Sequence, residues 1–324
     1  MAHNIFNSRF FNNSRQEAWH GLGINEEIGL NAVAALAKVG TYEVTLQPIK
    51  VVHPTEPNTF IDSDYRSIVR HPVADDSVYR VFGHPVTGAY HLINPQRSAQ
   101  LFDEGVGNLA SLLPYPVQTL GVLGKGEELF ITCKLEGWDI KGDEMQNYLF
   151  AHFPMYNGKA ATVGITTVRI VCANTLAAAL QGGMKQFIIT HRAGCEVLIR
   201  DNISTIVAEA EDYQAVLKEA MTVMADAKMT DEQAKQSLEY VYRMPPMPQE
   251  DWVGKFGNNK TLESYMEGYE AKVEAVQQTR DVVYGLYAGE TFGSGGKKRK
   301  FASSTISSTE STNGTGFGLY NAVA

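Results

Sequence analysis

The sequence predicts an α+β protein with an antiparallel, β-rich N-terminal half, a helical C-terminal half and a flexible Gly/Ser-rich tail. Three observations lead to this class. Alternating or β-branched runs separated by Pro, Asp and Gly fill residues 41–199. Apolar residues at helical spacing follow over residues 200–289. Strands that precede helices, rather than alternate with them, are typical of α+β folds.

The first forty residues combine a polar, Asn- and Arg-rich arm with one helix. The arm reaches the motif AWHGLG at Ala18–Gly23, and LNAVAALAKVG then has apolar residues at helical spacing up to Gly40. In the β-rich core that follows, we expect antiparallel strands joined by a turn at residues 124–127 and again around Asn157-Gly158, a strong turn dipeptide.

Residues 168–183, VRIVCANTLAAALQGG, change character in the middle. Val168–Cys172 is rich in β-branched residues and predicts a strand. Asn174 is the predicted N-cap of a short Ala/Leu-rich helix, which Gly182-Gly183 would end. Cys172 therefore lies where a strand leads into a helix, and it could be a nucleophile, a metal ligand or a packing residue. We favour packing, because free cysteine is commonly buried as a small hydrophobic side chain.

The helical region at 200–289 includes a second helix with Thr230 as its predicted N-cap. Residues 290–315 are rich in Gly, Ser and Thr and contain the block Lys297-Lys298-Arg299-Lys300, so we expect a flexible basic loop there. The chain then becomes apolar again at 316–324.

Composition narrows the function classes. The chain has 324 residues and a net charge of −8, which argues against a surface covered in phosphate-binding cations but allows a local basic groove. No apolar run approaches the ~20 residues that span a bilayer, and the N-terminus has no secretory h-region. Three scattered cysteines indicate a reduced protein. We therefore expect a cytoplasmic protein with no membrane association.

No motif predicts catalysis, a cofactor or a metal site. None of the eight histidines pairs with another His or Cys at ligand spacing on one element. GVLGKGEE lacks the spacing of a phosphate loop, and the clustered carboxylates lie in predicted turns.

Aromatic residues interleaved with arginines are the pattern that favours nucleic acid. Trp19 lies beside a Gly-Leu-Gly turn, where it could fasten the arm to the core or stack on a base. Arginines also accompany tyrosines in the first β block, where cross-strand pairing is the alternative explanation. The candidates for nucleic-acid binding are Trp19, Arg66, Arg70, Tyr79, Arg80, Lys297, Lys298, Arg299 and Lys300.

Five segments together resemble one family: AWHGLG, YRVFGHPVTGAYHLINPQRSAQLFD, VRIVCANTLAAAL, FIITHRAG and TGFGLYNAVA. It is the phage/plasmid-related protein family, catalogued as domain of unknown function 932. One departure is the turn Tyr156-Asn157-Gly158, where the family usually has His-Asp-Gly. The residues that carry the resemblance are Trp19, His20, Gly21, Arg169, Cys172, Asn174, Thr175 and His191.

The resemblance implies a gene of phages, prophages or plasmids, acting in the cytoplasm of the host cell, without a settled activity. We expect a non-catalytic protein that forms a homo-oligomer, binds single-stranded DNA and assists annealing, recombination or replication. The alternatives are an anti-defence or structural protein that binds a phage or host protein, and an enzyme that acts on DNA.

Overall fold

The computed structural model confirms the α+β class. It describes residues 3–15, 17–56, 58–108, 112–140, 143–182, 185–248 and 262–287. The predicted basic loop with Lys297–Lys300 and the apolar segment at 316–324 lie outside these residues. The chain divides into two compact units: Met1–Gly137 with Gln146–Tyr213, and Trp138–Met145 with Gln214–Ala324.

A seven-stranded sheet forms the centre of the first unit. Its strands lie in the order β12-β11-β10-β7-β6-β1-β2, and neighbours are antiparallel except for β1 and β2. The strands are β1 (Ile5–Asn12), β2 (Ile24–Asn25), β6 (Val117–Leu123), β7 (Glu128–Lys134), β10 (Tyr148–Pro154), β11 (Ala161–Thr166) and β12 (Lys185–Ile189). The strand pairs predicted at the 124–127 and 157–158 turns are confirmed as β6–β7 and β10–β11.

Two smaller sheets complete the strands that the structure describes. The first is the antiparallel sheet of β3 (Val44–Val52), β4 (Phe60–Arg70) and β5 (Arg80–Val86), with β4 in the middle. The second is a short hairpin in the second unit, formed by β8 (Trp138–Ile140) and β9 (Asp143–Met145).

The helices are α1 (Ala32–Val39), α2 (Pro95–Val106), α3 (Ala173–Gly182), α4 (Cys195–Asp226), α5 (Asp231–Val241) and α6 (Leu262–Tyr287). Thr230 is confirmed as the N-cap of α5, where it forms a capping box with Gln233. Asp103 of α2 accepts hydrogen bonds from the backbone N–H groups of Ala32 and Val33, so it fixes the start of α1 against α2.

The two faces of the large sheet pack against different helices. Alternate residues of a strand point to opposite faces, and the odd-numbered core residues of β7 and β10 join a cluster with α1, α2 and the first part of α4. The even-numbered Phe130 and Phe150 join a second cluster with Phe10 and with Leu176 of α3. The N-terminal strand and α3 therefore share one core.

Two predictions for residues 168–183 are wrong. Val168–Cys172 forms no strand, because Thr119 Oγ1 donates to the Ile170 carbonyl (2.7 Å) and the Val171 and Cys172 N–H groups donate to Thr175 Oγ1. Asn174 is not the N-cap, since α3 begins at Ala173 and the Leu176 N–H already bonds to the Cys172 carbonyl. Asn174 lies exposed in the first turn.

Candidate nucleic-acid interface and motif junction

The AWHGLG motif meets residues 168–175 at a contact that we call the motif junction, formed by Ala18–Leu22 and Val168–Thr175. His20 Nδ1 accepts a hydrogen bond from the Leu22 N–H (3.0 Å), so Nε2 carries the proton and donates to the Val171 carbonyl (3.0 Å). Burial lowers the pKa of His20. Both ring nitrogens of this neutral imidazole are used, which leaves neither for a metal or for proton transfer.

Thr175 organises the start of α3 within the motif junction. Its Oγ1 accepts from the Val171 and Cys172 N–H groups (2.9 and 3.0 Å) and donates to the Cys172 carbonyl (3.0 Å). The Cys172 thiol is buried in the α3 core, and its polar neighbour is Thr175 Oγ1 at 3.5 Å. This environment is typical of a packing residue beside a helix cap.

Arg169 connects the same segment to the N-terminal strand. Its Nη2 donates to Asn12 Oδ1 (2.5 Å), and Asn12 Nδ2 donates in turn to Asn25 Oδ1 (2.9 Å). Asn12 is fully buried. The arginine three residues before Cys172 therefore serves β1 and β2 rather than the thiol.

Another buried polar group lies where β7 begins and β10 ends. Glu128 accepts hydrogen bonds from His152 Nε2 (2.6 Å), the Tyr156 hydroxyl (2.8 Å) and Lys159 Nζ (2.8 Å). Burial would raise the pKa of Glu128, but these hydrogen bonds and the nearby positive charge lower it to about 2. The sequence analysis missed this group because its members come together only through the β7–β10 register, in which Glu128 pairs with Pro154.

The turn that departs from the family pattern adjoins this group. Asn157 Oδ1 accepts from the His84 N–H (2.8 Å), and it would lie 2.6 Å from a side chain added at Gly83, whose φ is +59°. Tyr156 and Asn157 therefore fasten the turn to β7 and β5. The turn therefore holds neighbouring strands in position.

His191 lies buried at the C-terminal end of β12. Its ring stacks on Tyr90 with 5.1 Å between centroids, and its carbonyl accepts from the His91 N–H (3.0 Å). Burial lowers the pKa of His191. The segments GAYHLI and FIITHRAG therefore contact each other directly, at a place separate from the motif junction.

Arg70 is not available to bind a phosphate, which corrects the sequence prediction. Its side chain is fully buried, and Nη2 donates to Asp76 at 2.6 Å. Arg9 forms a bidentate pair with Asp75 (2.8 and 2.9 Å), and both guanidinium groups lie 4.9 Å from the centre of the Phe6 ring. These arginines anchor the inner end of β4 to the N-terminal strand.

The other predicted contacts on the three-stranded sheet are accessible. Arg66 is exposed and has no ion pair with any residue that the structure describes. Tyr79 is 62% exposed and packs on His71, with 5.5 Å between the rings. Arg80 is half-buried and lies 3.8 Å from Asp76, so a carboxylate already offsets part of its charge.

Trp19 is accessible too but lies elsewhere. It is 63% exposed and packs edge-on against His20, with 5.5 Å between the rings. The structure therefore places Trp19 on the motif junction rather than on the strands that carry Arg66 and Tyr79.

Exposed apolar and aromatic side chains cover much of β3, β4 and the start of β5. Sequence reasoning did not single out Phe60, which is 57% exposed. Its pairing with Val52, beside the pair of Val51 and Ile61, follows only from the register. We call this surface the exposed sheet and define it by Val51, Val52, Phe60, Ile61, Tyr65, Arg66, Tyr79 and Val81.

Two other features, a metal site and a membrane-spanning helix, are absent from the described part of the chain. No three His, Cys, Asp or Glu side chains there are grouped so that they could hold a metal ion. None of the helices described above is long and apolar enough to cross a membrane.

A family profile described as a domain of unknown function, DUF932, matches residues 84–324. The chain belongs to this family. No curated protein and no solved structure matches the chain. The DUF932 region includes Glu128, Arg169, Cys172 and His191, whereas all eight residues that define the exposed sheet precede it.

Proposed function

We propose that the protein binds single-stranded DNA on the exposed sheet, without catalysis, and assists annealing, recombination or replication of a phage or plasmid. The observation that carries the proposal is the exposure of three aromatic rings, two on β4 and one directly before β5. Phe60, Tyr65 and Tyr79 are 57%, 50% and 62% exposed. Stacking on such rings contributes about 1–3 kcal/mol per base and tolerates any base.

The charges on this surface determine what kind of binding to expect. Arg66 is free to contact a phosphate, whereas Lys50 lies 3.4 Å from Asp62 and Arg80 lies near Asp76. Each phosphate contact on a single strand contributes about −0.7 to the slope of log affinity against log salt. With few unpaired cations on the exposed sheet, we expect stacking to dominate and the salt slope from this surface to be shallow.

The experiment is a fluorescence-anisotropy titration of labelled oligo-dT across a salt series. Tyr65→Ala and Tyr79→Ala should each weaken binding by roughly 5- to 100-fold, the loss of one stacked base. Tyr240→Ala is the matched control, because Tyr240 is an exposed tyrosine on α5. Arg66→Met should make the salt slope shallower by about 0.7. If the wild-type protein does not bind at low salt and high micromolar concentration, the DNA proposal fails.

Neutralising the block from Lys297 to Lys300 locates the binding surface. If this variant loses the salt slope while Tyr65→Ala and Tyr79→Ala bind like wild type, the DNA lies on the basic block, and the exposed sheet is not the interface.

A second candidate function is protein binding, and the outer end of the β3–β4 hairpin favours it. Val51 pairs with Ile61 and Val52 with Phe60, and all four side chains are exposed. Successive strand residues point to opposite faces, so each face of the hairpin end carries one exposed apolar pair, and exposed apolar side chains grouped in this way commonly mark protein–protein contacts. A partner protein of the phage or host, or a second copy in a homo-oligomer, would cover them.

Sedimentation velocity separates this candidate from DNA binding. Ile61→Lys should dissociate an oligomer that forms through the hairpin, and the control Asp64→Lys on the same strand should not. An oligomer that both variants leave intact forms through another surface.

A further inference from the structure

A groove runs between the edge of the large sheet and the first part of α4. It is lined by the last three residues of β12, Phe187 to Ile189, by Thr190 directly after the strand, and by the loop residues Arg192 and Ala193. Three residues of α4 form its other wall: Cys195, Leu198 and Asn202. The cavity volume is about 410 Å³.

The lining residues show that the groove follows the free edge of β12. Consecutive strand residues point to opposite faces, so a cavity that contacts four in a row lies beside the strand rather than on one face. Positions 195, 198 and 202 are spaced three and four apart, which puts them on one side of the helix. Of the strands that the structure describes, only β11 pairs with β12.

Each wall of the groove has an exposed apolar side chain. Ile188 on the strand is 72% exposed, and Leu198 on the helix is 54% exposed. An edge strand normally carries charges or proline that discourage further pairing. Phe187, Ile188 and Ile189 carry neither, so this end of β12 is suited to accept another strand.

The loop at the end of β12 supplies a positive charge. Arg192 is exposed and forms no ion pair among the residues with a described structure. The nearest acidic residue along the chain, Glu196, is already bonded to His91 and Arg97, both at 2.8 Å. The Arg192 guanidinium is therefore available to a carboxylate from outside the protein.

We propose that this groove binds an extended peptide of a partner protein, which adds to the sheet as a strand beside β12. Its backbone would pair with the free edge, an apolar side chain would pack between Ile188 and Leu198, and a carboxylate would bind Arg192. Four extended residues, the length of Phe187–Thr190, span about 13 Å, which sets the length of the bound segment. Backbone pairing supplies affinity in this mode of recognition, and the side-chain contacts supply specificity.

The test uses fluorescein-labelled peptides of about six residues, in which Val, Ile or Leu alternates with Ser or Thr. Each sequence is made with a free C-terminus, with an internal Glu and an amidated C-terminus, and with no carboxylate. Removing the carboxylate should weaken binding roughly tenfold or more, the loss of a charge-assisted hydrogen bond. The first two forms distinguish a chain terminus from an acidic side chain. Proline in place of alternate residues should abolish binding, because proline has no N–H to donate.

Two pairs of variants locate the peptide. Ile188→Lys should abolish binding, whereas Val197→Lys, at an exposed α4 position outside the groove, should not. Arg192→Ala should remove the preference for a carboxylate, whereas Arg200→Ala should keep it, because Arg200 bonds to Asp201 on the same helix. Hydrogen exchange should slow at residues 185–189 when the peptide binds.

Three results would overturn the proposal. In the first, no peptide of the set binds the wild-type protein more tightly than it binds the Ile188→Lys variant. In the second, peptides bind but residues 185–189 gain no protection from exchange. In the third, the wild-type protein dimerises, the Ile188→Lys variant is monomeric, and no peptide competes with dimerisation. The groove would then bind β12 of a second copy.

Discussion

The motif junction and the exposed sheet differ in how their polar and aromatic side chains are used. At the motif junction both nitrogens of His20 are bonded, and Thr175 makes three hydrogen bonds to the backbone. On the exposed sheet Tyr65 and Tyr79 are at least half exposed, and Arg66 has no carboxylate partner within the described chain. His20 and Thr175 are therefore taken up by contacts within the fold, whereas Tyr65, Tyr79 and Arg66 remain accessible to a ligand.

This difference indicates which surface of the protein is available for binding. The His, Cys and Arg residues of the recognisable motifs hold the N-terminal strand, α3 and the large sheet together. The free side chains of the exposed sheet all lie before His84, outside the DUF932 match. A binding activity of the exposed sheet would therefore be a property of this chain that membership of the family does not imply.

The sharpest test of the comparison uses two arginines on one strand. Arg70→Met should destabilise the protein by about 3–5 kcal/mol, because it removes a fully buried, ion-paired guanidinium and leaves Asp76 only the more distant Arg80 at 3.8 Å. Arg66→Met, four residues earlier on β4, should change stability by no more than about 0.5 kcal/mol. Urea unfolding at neutral pH measures both. Equal losses would mean that β4 is not divided into a buried end and an exposed end.

A largely buried carboxylate and an exposed one should differ in the same way as the two arginines. Glu128→Gln should lower stability by about 3 kcal/mol at neutral pH, which corresponds to the fall in the pKa of Glu128 from 4.5 to about 2. Because the folded-state pKa is depressed, this stability is complete above pH 4.5 and is lost as the pH falls through about 2. The gap between wild type and variant should close over that interval.

The control for this prediction is Asp64→Asn, at an exposed position of the exposed sheet. Its unfolding curve should follow that of the wild type at every pH. A Glu128→Gln variant whose deficit stays constant down to pH 2 would show that its loss comes from altered packing rather than from the ionised carboxylate.

Local pattern was enough to predict most of the elements. Alternation and turn dipeptides identified the β6–β7 and β10–β11 pairs, and Thr230 identified the start of α5. Val168–Cys172 misled because its β-branched composition suits a strand, while its backbone is engaged by Thr119 and Thr175. When hydroxyl groups bond to the backbone groups that would otherwise pair with a neighbouring strand, the composition of the segment does not reveal it.

The candidate site was less predictable, because accessibility depends on distant chain segments. Arg66 and Arg70 occur in the same aromatic and arginine-rich pattern, but only Arg70 is covered, by Asp76 and by Phe6 of β1. The group around Glu128 was missed for the same reason, since His152 is 24 residues away and reaches it through strand register. The sequence pattern predicted the residue types, and the tertiary contacts determine which of those side chains remain accessible.

Neighbouring residues of the AWHGLG motif provide a smaller test. His20→Ala should cost about 2 kcal/mol, because the Leu22 N–H and the Val171 carbonyl both lose their partner and Phe10 loses an edge-on ring contact at 4.9 Å. Trp19→Ala should be nearly neutral, since the side chain is 63% exposed. Thermal and urea unfolding measure both. A larger loss for Trp19→Ala would show that the tryptophan fastens the N-terminal arm.

The smallest expected effect is at Cys172. Cys172→Ala should lower stability by about 1 kcal/mol, because it leaves a small cavity in the core shared by Phe10, Phe150 and Leu176. Cys172→Ser should also be modestly destabilised, since its hydroxyl replaces a thiol 3.5 Å from Thr175 Oγ1. Oligo-dT binding by both variants should match the wild type, because the thiol belongs to the motif junction. Binding lost in either variant at unchanged stability would make the cysteine part of the function, and the division between a structural junction and a binding sheet would no longer hold.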